Sequence, residues 1–194
     1  MITPIDQSFF NKPTLQLSKD LLGCRLVHLM DNIVISGRIV ETEAYMGPVD
    51  RAAHSFQNRR TKRTEIMYHE AGLIYTYQMH THTLINIVSG NIDCPEAVLI
   101  RAIEPIDGID YMIQMRNNQP ISNLTNGPGK LTKAMNITMS SYGQKSWEPP
   151  VFIAEGTKPH AISSGPRIGI ENTGEARDYP WRFWITDNPF ISRK

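Results

Sequence analysis

Two apolar runs joined by a short polar turn constrain the fold of this chain more than any other feature. Residues 24–29 and 33–42 are rich in Leu, Val and Ile, and Asp31 and Asn32 between them form a strong turn signal. Residues of this kind fit the pleated, half-buried surface of a sheet. The pattern therefore predicts a β-hairpin, which pairs two strands in the antiparallel arrangement.

The rest of the chain adds further strands and a few short helices to this hairpin. Apolar runs predict strands at residues 73–79, 83–88, 97–103, 151–154 and 181–186. Helical spacing, ended by Gly23 in the first case, predicts helices at residues 13–22, 109–116 and 128–135. Strands and helices do not alternate as a doubly wound parallel sheet requires. We therefore expect an α+β fold with a curved, largely antiparallel β-sheet flanked by helices.

Composition places the chain among ordinary globular proteins. It has 194 residues, of which 40% are hydrophobic and 20% are charged, and no obvious linker divides it. We therefore expect one domain that spans residues 1–194. The formal net charge is only +1, which excludes a strongly positive overall charge of the kind that attracts nucleic acid. A bound polyanion would need a local basic patch.

The cysteines and the hydropathy of the chain indicate the cellular compartment in which the protein is expected. Cys24 and Cys94 are isolated and lack the paired spacing of a structural zinc site, so both are expected to be reduced and buried. The sequence has no charged start followed by an apolar stretch, and no apolar run approaches the length of a membrane span. These patterns predict a cytosolic protein without a membrane partner.

An unusual run of acidic residues lies where the second strand of the hairpin ends. Glu41, Glu43 and Tyr45 alternate in the segment RIVETEAYMGPVDRAAHS, residues 38–55, and so share one face of the strand. One interpretation is an edge strand whose glutamates face water. The other is a cleft in which one ionised glutamate activates water as a general base.

Two further segments suggest anion binding. The run NRRTKR, residues 58–63, concentrates positive charge and is either an exposed loop or a contact for phosphates. The run NGPGKLTK, residues 126–133, places a turn before a helix, and the first turn of a helix offers free backbone N–H groups to an anion. It lacks the spacing of a nucleotide-binding P-loop.

A pair of histidines raises a different possibility. His80 and His82 are separated by one residue, which on a continuous strand places both imidazoles on one face. Together with His69 or Glu41 they could form the zinc site of a metal-dependent hydrolase. If the chain instead turns at His80 and Thr81, that shared face is lost.

Seven motifs in order along the chain carry a resemblance to a known family. They are LLGCRLV, RIVETEAYMGPVDRAAHS, YTY, VLIRAIEP, NGPGKLTKAM, GPRIGI and WRFWI, and they extend from about Leu21 to Ile191. With these motifs the sequence resembles the alkyladenine (3-methyladenine or methylpurine) DNA glycosylases, which include the mammalian enzyme and many bacterial ones. The resemblance implies a single α+β domain around a curved antiparallel sheet, with no metal or organic cofactor.

The resemblance also implies a role for individual residues. Glu43 would deprotonate the water that attacks the anomeric carbon of a damaged nucleotide. Tyr45 and His54 would form one wall of the base pocket, and Tyr77 would form the other. Asn86 would crowd the exocyclic amino group of normal guanine.

Other residues would hold the DNA. Arg101 would contact the backbone of the flipped nucleotide. At the tip of the hairpin formed by residues 73–88, His80 and Thr81 replace the Tyr-Gly pair of the mammalian members, so His80 is the candidate wedge that fills the space left by the flipped nucleotide. The full set expected to contact DNA is Arg59, Arg60, Lys62, Arg63, His80 and Lys130.

The function implied is monofunctional hydrolysis of the N-glycosidic bond in base-excision repair, without a lysine nucleophile. The partner would be double-stranded DNA that contains alkylated or deaminated purines, among them 3-methyladenine, 7-methylguanine, hypoxanthine and ethenoadenine. The enzyme would act as a monomer in the bacterial cytosol or nucleoid. The alternative is a non-catalytic nucleic-acid-binding module that uses Tyr45, Tyr77 and Arg101 as a stacking platform. That alternative does not explain a carboxylate beside them.

Overall fold

A strongly curved antiparallel sheet forms the centre of the molecule. The structure is a computed structural model, and it describes residues 2–193. The eight strands of the sheet are β1 (Arg25–Met30), β2 (Ile33–Tyr45), β3 (Ile74–Met79), β4 (His82–Ser89), β5 (Glu96–Asp107), β6 (Val151–Ala154), β7 (Ile162–Gly165) and β8 (Arg182–Ile185).

Strand β2 is the longest and holds the sheet together. The strands follow the order β3-β4-β5-β2-β1-β6, and β8 pairs with both β2 and β7. Strand β1 pairs with β2 only as far as Arg38, and β8 takes over as its neighbour at Glu41–Glu43. Register shifts on both sides of Glu41 bend β2 against β5. The C-terminal half of β2 is therefore enclosed between two strands.

Three short α-helices pack against this sheet. They are α1 (Thr14–Asp20), α2 (Ile109–Met115) and α3 (Pro128–Ala134). Leu17 of α1 and Leu131 of α3 are fully buried with Ile39 and Ile103 of the sheet in the main hydrophobic cluster. A smaller cluster around Met67 lies beneath the β3–β4 hairpin.

These observations confirm the predicted fold class. Every strand and helix expected from the sequence is present within a few residues of its predicted bounds. Strand β7 was missed because its sequence, Ile-Ser-Ser-Gly, has no apolar alternation. Both cysteines are free, but only Cys24 is buried, so the expectation for Cys94 was wrong. Within residues 2–193, the helices all fall short of the length and apolarity that a bilayer crossing demands.

Candidate active site

The carboxylates of Glu41 and Glu43 lie inside the protein. Neither residue has any solvent-exposed area, although both lie on a strand whose first residues are exposed. The interpretation as a water-facing edge strand is therefore wrong. The physical reason is the pairing of β2 with β5 on one side and β8 on the other, which leaves this part of the strand without a free edge.

Strand register places Glu43 beside the other site residues. Tyr75 of β3 pairs with Asn86 of β4, which pairs with Leu99 of β5, which in turn pairs with Glu43 of β2. Side chains directly opposite each other in paired strands project from the same face of the sheet. Arg101 follows Leu99 by two residues and so belongs to that face as well.

Three groups hold the carboxylate of Glu43. The hydroxyl of Tyr45 donates to Oε2 at 2.8 Å, the backbone N–H of Ile168 donates to Oε1 at 2.8 Å, and Nη1 of Arg101 lies 3.3 Å from Oε1. Burial raises the pKa of the Glu43 carboxyl, and Arg101, the Ile168 N–H and the Tyr45 hydroxyl oppose that rise in part. The result is a base whose pKa lies above the usual range of a glutamate.

Glu41 supports this arrangement from the side. Its carboxylate accepts hydrogen bonds from Arg182 at 3.1 Å and from the backbone N–H and hydroxyl of Ser192 at 2.6 and 2.8 Å. Nε of Arg101 lies 3.4 Å from the same carboxylate. Arg101 therefore bridges Glu41 and Glu43, which fixes its guanidinium at the site.

Tyr45 and Arg101 line a cavity of about 460 Å³ beside the buried Glu43. This volume is within the range of small-molecule sites. Aromatic side chains from three places in the sequence contribute to its lining, and they are Tyr45, His54, Tyr75 and Tyr77. The segment from Ile168 to Thr173 lines it as well.

The structure changes the expected arrangement of the walls. The ring centroids of His54 and Tyr77 are 4.6 Å apart with an interplanar angle of 85°, and Nδ1 of His54 is 2.7 Å from the hydroxyl of Tyr75. No purine fits between rings in such direct edge contact. The placement of His54 on the wall opposite Tyr77 was therefore wrong, because His54 packs with Tyr75 and Tyr77 on one side.

The aromatic side of the pocket is electrically neutral at physiological pH. Burial, with Arg63 and Arg59 nearby, lowers the pKa of His54 to about 4. Burial raises the pKa of Tyr77 to about 12. Imidazole and phenol are thus both uncharged in the physiological range.

Two pocket residues were missing from the expected site. Tyr75 orients His54, and the alternation of the YTY motif on β3 places it on the same face as Tyr77. Ile168 acts through its backbone N–H, which no side-chain pattern reveals. Both lie in motifs that carried the family resemblance.

Asn86 also lies in the pocket lining and is nearly fully buried. Its Nδ2 donates to the backbone carbonyl of Tyr75 at 3.0 Å, which fixes the plane of the amide. The role of this amide in rejecting guanine stays a prediction.

The basic segment divides into two groups. Arg60 forms a two-point ion pair with Glu65 at 2.9 and 2.6 Å and stacks on Tyr68 at 4.5 Å. Arg59, Lys62 and Arg63 are exposed and make no ion pair within residues 2–193. The expected contact of these residues with DNA stays a prediction, and Arg60 is the least available of the set.

Lys130 lies in the first turn of α3, as the NGPGKLTK motif predicts. Its Nζ donates to the side-chain oxygens of Asn123 and Asn126 at 2.6 and 2.9 Å. Gly129 allows α3 to approach β4 closely, because a Cβ at this position would lie 2.8 Å from Cβ of His82. This approach carries Pro128 into the pocket lining.

The β3–β4 hairpin turns at His80 and Thr81, as expected. His80 is exposed and has a positive φ of 53°, and Met79 pairs with His82 across the turn. The two histidines therefore do not share one strand face. Glu41 is buried and occupied by Arg182 and Ser192, and residues 2–193 contain no group of three His, Cys, Asp or Glu side chains suited to a metal. The ligand set expected for a metal-dependent hydrolase is therefore not assembled within the described residues.

Comparison with known proteins finds relatives that match nearly the whole chain. A protein from Bacillus licheniformis is 61% identical over 98% of this chain and 97% of its own length, and one from Bacillus subtilis is 59% identical over the same shares. A protein from Listeria monocytogenes is 47% identical over 97% of this chain and 92% of its own. The name assigned to all three is 3-methyladenine DNA glycosylase. The family model described as methylpurine-DNA glycosylase matches residues 8–189, and the chain therefore belongs to the methylpurine-DNA glycosylase family.

Proposed function

We propose that this protein is a monofunctional DNA glycosylase that hydrolyses the N-glycosidic bond of alkylated purines and leaves an abasic site. The observation that carries the proposal is the fully buried carboxylate of Glu43, held by three donors beside a pocket with aromatic walls. Family membership and the assigned names of the relatives support the same activity.

The reaction requires that the damaged nucleotide leaves the duplex. A stacked base hides its glycosidic bond, and glycosylases as a class extrude the nucleotide into a pocket. The cavity here has room for a purine, and Tyr45 lies on one part of its lining with Tyr77 and His54 on another. We infer that the purine stacks between these two aromatic surfaces.

The neutral walls suit a positively charged base. A purine methylated at N3 or N7 carries positive charge, and each aromatic face that it contacts contributes a cation–π attraction of roughly 0.5–2 kcal/mol. The neutral state of His54 matters here, because an imidazolium would repel such a base.

Glu43 supplies the chemistry in this proposal. The ionised carboxylate takes a proton from water, and the water oxygen bonds to C1′ as the bond from C1′ to the purine nitrogen breaks. The electron pair of the broken bond neutralises the positive charge of the alkylated ring, so no proton donor to the leaving base is required. The developing oxocarbenium charge is stabilised by the carboxylate. The described residues that line the pocket include no lysine, which agrees with hydrolysis rather than lyase chemistry.

Neutral lesions are expected to react more slowly. Hypoxanthine and ethenoadenine leave readily only when the ring is protonated, and the aromatic side chains of the pocket offer no good proton donor. His54 has lost its proton at neutral pH, and the pKa values of Tyr45 and Tyr77 are raised. We therefore propose a preference for 3-methyladenine and 7-methylguanine, with Asn86 excluding normal guanine.

The DNA partner would lie across the exposed basic segment and the hairpin tip. Arg59 and Arg63 are close enough to His54 to lower its pKa, so the segment borders the pocket. We propose that the enzyme acts on double-stranded DNA as a monomer, in the bacterial cytosol or nucleoid.

A non-catalytic binding module is the alternative, and the burial of Glu43 argues against it. Burying a carboxylate is costly, and an acid beside a polyanion weakens binding. A reaction at Glu43 would account for both costs.

The test is release of free base from duplexes that each contain one defined lesion, measured with the wild type and with Glu43→Gln. We expect release of 7-methylguanine by the wild type, unaffected by a chelator, and none by Glu43→Gln, while both bind the duplex equally. Glu70→Gln, at an exposed glutamate, is the matched control and should release base normally. Binding by the wild type without release would establish the binding module instead.

A further inference from the structure

A buried ion pair lies immediately behind the site and is not explained by the roles above. The side chains of Arg167 and Asp50 have no exposed area. Nη1 and Nη2 of Arg167 each donate to one oxygen of Asp50, the second at 2.8 Å. The same guanidinium donates to the backbone carbonyls of Ala44 at 2.9 Å and Ala176 at 3.2 Å.

The guanidinium of Arg167 is also packed between two aromatic rings. Its Cζ lies 4.7 Å from the ring centre of Tyr45 and 5.1 Å from that of Trp181. Arg167 does not belong to the pocket lining, whereas Tyr45 does. Arg167 therefore supports the Tyr45 ring from the protein side.

The pair connects both backbone segments that surround Glu43. Arg167 directly precedes Ile168, whose N–H donates to Glu43 at 2.8 Å. Asp50 accepts hydrogen bonds from the backbone N–H groups of Met46 and Ala52, both at 3.0 Å, and so orders the loop that leads from Tyr45 to His54.

We propose that Arg167, held by Asp50, is a positioning residue that keeps the Tyr45 hydroxyl and the Ile168 N–H on the carboxylate of Glu43. The proposal rests on the proposed role of Glu43 as the general base. A contribution to folding alone would not require this placement, since a buried ion pair gives no more stability than well-packed apolar residues of the same volume often give.

The consequence concerns the pH at which Glu43 becomes a base. Both donors favour the ionised carboxylate and so oppose the rise in the pKa of Glu43 that burial causes. If the donors are loosened, less of that rise is opposed. Weakening the contacts of Arg167 therefore raises the pKa of Glu43 and lowers the fraction of enzyme with an ionised Glu43 at neutral pH. Binding of DNA does not depend on this change.

The test compares Arg167→Lys with the wild type. Lysine keeps the positive charge. It lacks the planar guanidinium, which donates at two points to Asp50 and stacks on Tyr45. Thermal unfolding first establishes that the variant is folded at the assay temperature. The pH dependence of kcat and KM for release of 7-methylguanine is then measured. In parallel, the Glu43 carboxyl is titrated by ¹³C NMR in glutamate-labelled protein, with its resonance assigned through Glu43→Gln.

We expect kcat of Arg167→Lys to fall on the order of tenfold or more, as misplacement of catalytic groups does, with KM little changed. The acid limb of the rate and the carboxyl titration should both move to higher pH. Arg25→Lys disturbs another arginine–aspartate pair, formed with Asp107 beside the N-terminal half of β2, and should change neither. The titration of Glu43 is measured without substrate, so it tests the role of Arg167 even if the wild type releases no base. Absence of base release by the wild type would refute only the proposed function.

A folded Arg167→Lys variant with wild-type kcat, pH profile and carboxyl titration would overturn the proposal. If that variant does not fold, the double variant Asp50→Asn with Arg167→Gln removes both buried charges together and is measured in the same way. Unchanged titration of Glu43 in the folded double variant would equally overturn it.

Discussion

The hydroxyl of Tyr45 donates to Oε2 of Glu43 at 2.8 Å, and the ring that bears this hydroxyl lines the base pocket. One side chain therefore serves both the surface proposed to stack on the base and the carboxylate proposed to activate water. A base that presses on Tyr45 is connected to Glu43 through a single hydrogen bond. This link makes the hydroxyl and the ring of Tyr45 separable by mutation.

We expect Tyr45→Phe to retain the stacking surface and to lose activity through Glu43. The hydroxyl lowers the pKa of the buried carboxyl, so its removal raises that pKa further and leaves less of the base form at neutral pH. A hydrogen bond to a charged group is worth about 1.5–3 kcal/mol, so on the acid limb, below the pKa of Glu43, kcat/KM should fall about tenfold to a hundredfold. Kinetics of 7-methylguanine release measure this, with Tyr111→Phe in α2 as the control. An equal loss at every pH would show that the hydroxyl acts in some other way.

The wild-type pH profile should show the raised pKa of Glu43 directly. The base form exists only above this pKa, so kcat/KM should fall as the pH is lowered through it and level off above it. Because burial raises the pKa, the acid limb should lie above the range of an ordinary glutamate, which is near 4.3. The measurement is single-turnover release of 7-methylguanine across the acid and neutral range, with spontaneous loss subtracted. A limb at or below the ordinary range would contradict the assignment.

The fold of this chain was largely predictable because its strands follow local patterns. The runs at β1 and β2 are rich in Leu, Val and Ile and are separated by a turn signal, so their pairing needs no information from elsewhere in the chain. Strand β8 also has an apolar pattern, but its pairing with Glu41–Glu43 joins residues that are distant in sequence. Whether the glutamates were exposed or buried depended on that pairing. The local pattern therefore left two interpretations open.

The candidate site was predictable only in part for the same reason. The roles of Glu43, Tyr77 and Asn86 came from the family resemblance, and the structure brings these residues to one face of the sheet. The contact of His54 with Tyr77 depends on how a loop folds over β3, which no spacing encodes. The pairing of Arg167 with Asp50 likewise joins two residues that no local pattern relates.

The residues of the basic segment 58–63 should contribute unequally to the salt dependence of DNA binding. Removing the charges of Arg59, Lys62 and Arg63 should flatten the slope of log K against log salt by roughly 0.9 for each phosphate that the variant no longer neutralises. Arg60→Gln is the matched control and should change the slope less, because Arg60 is paired with Glu65. The measurement is affinity for an undamaged duplex at several salt concentrations. Equal slopes for the triple variant and the wild type would place the segment away from DNA.

The hairpin tip should govern action on duplex DNA more than on single strands. His80 is exposed in the turn, and the neighbouring Met79 is 47% exposed, lines the pocket and shares the strand face of Tyr77. Apolar side chains inserted between base pairs open the stack, so Met79 is a second candidate wedge beside His80. We expect Met79→Ala and His80→Ala each to slow release of 7-methylguanine from a duplex and to leave release from single strands nearly unchanged. Gln78→Ala, an exposed change on the opposite strand face, should affect neither. If the tip variants slow both substrates equally, the tip does not assist flipping, because an unpaired nucleotide needs no wedge to leave a duplex.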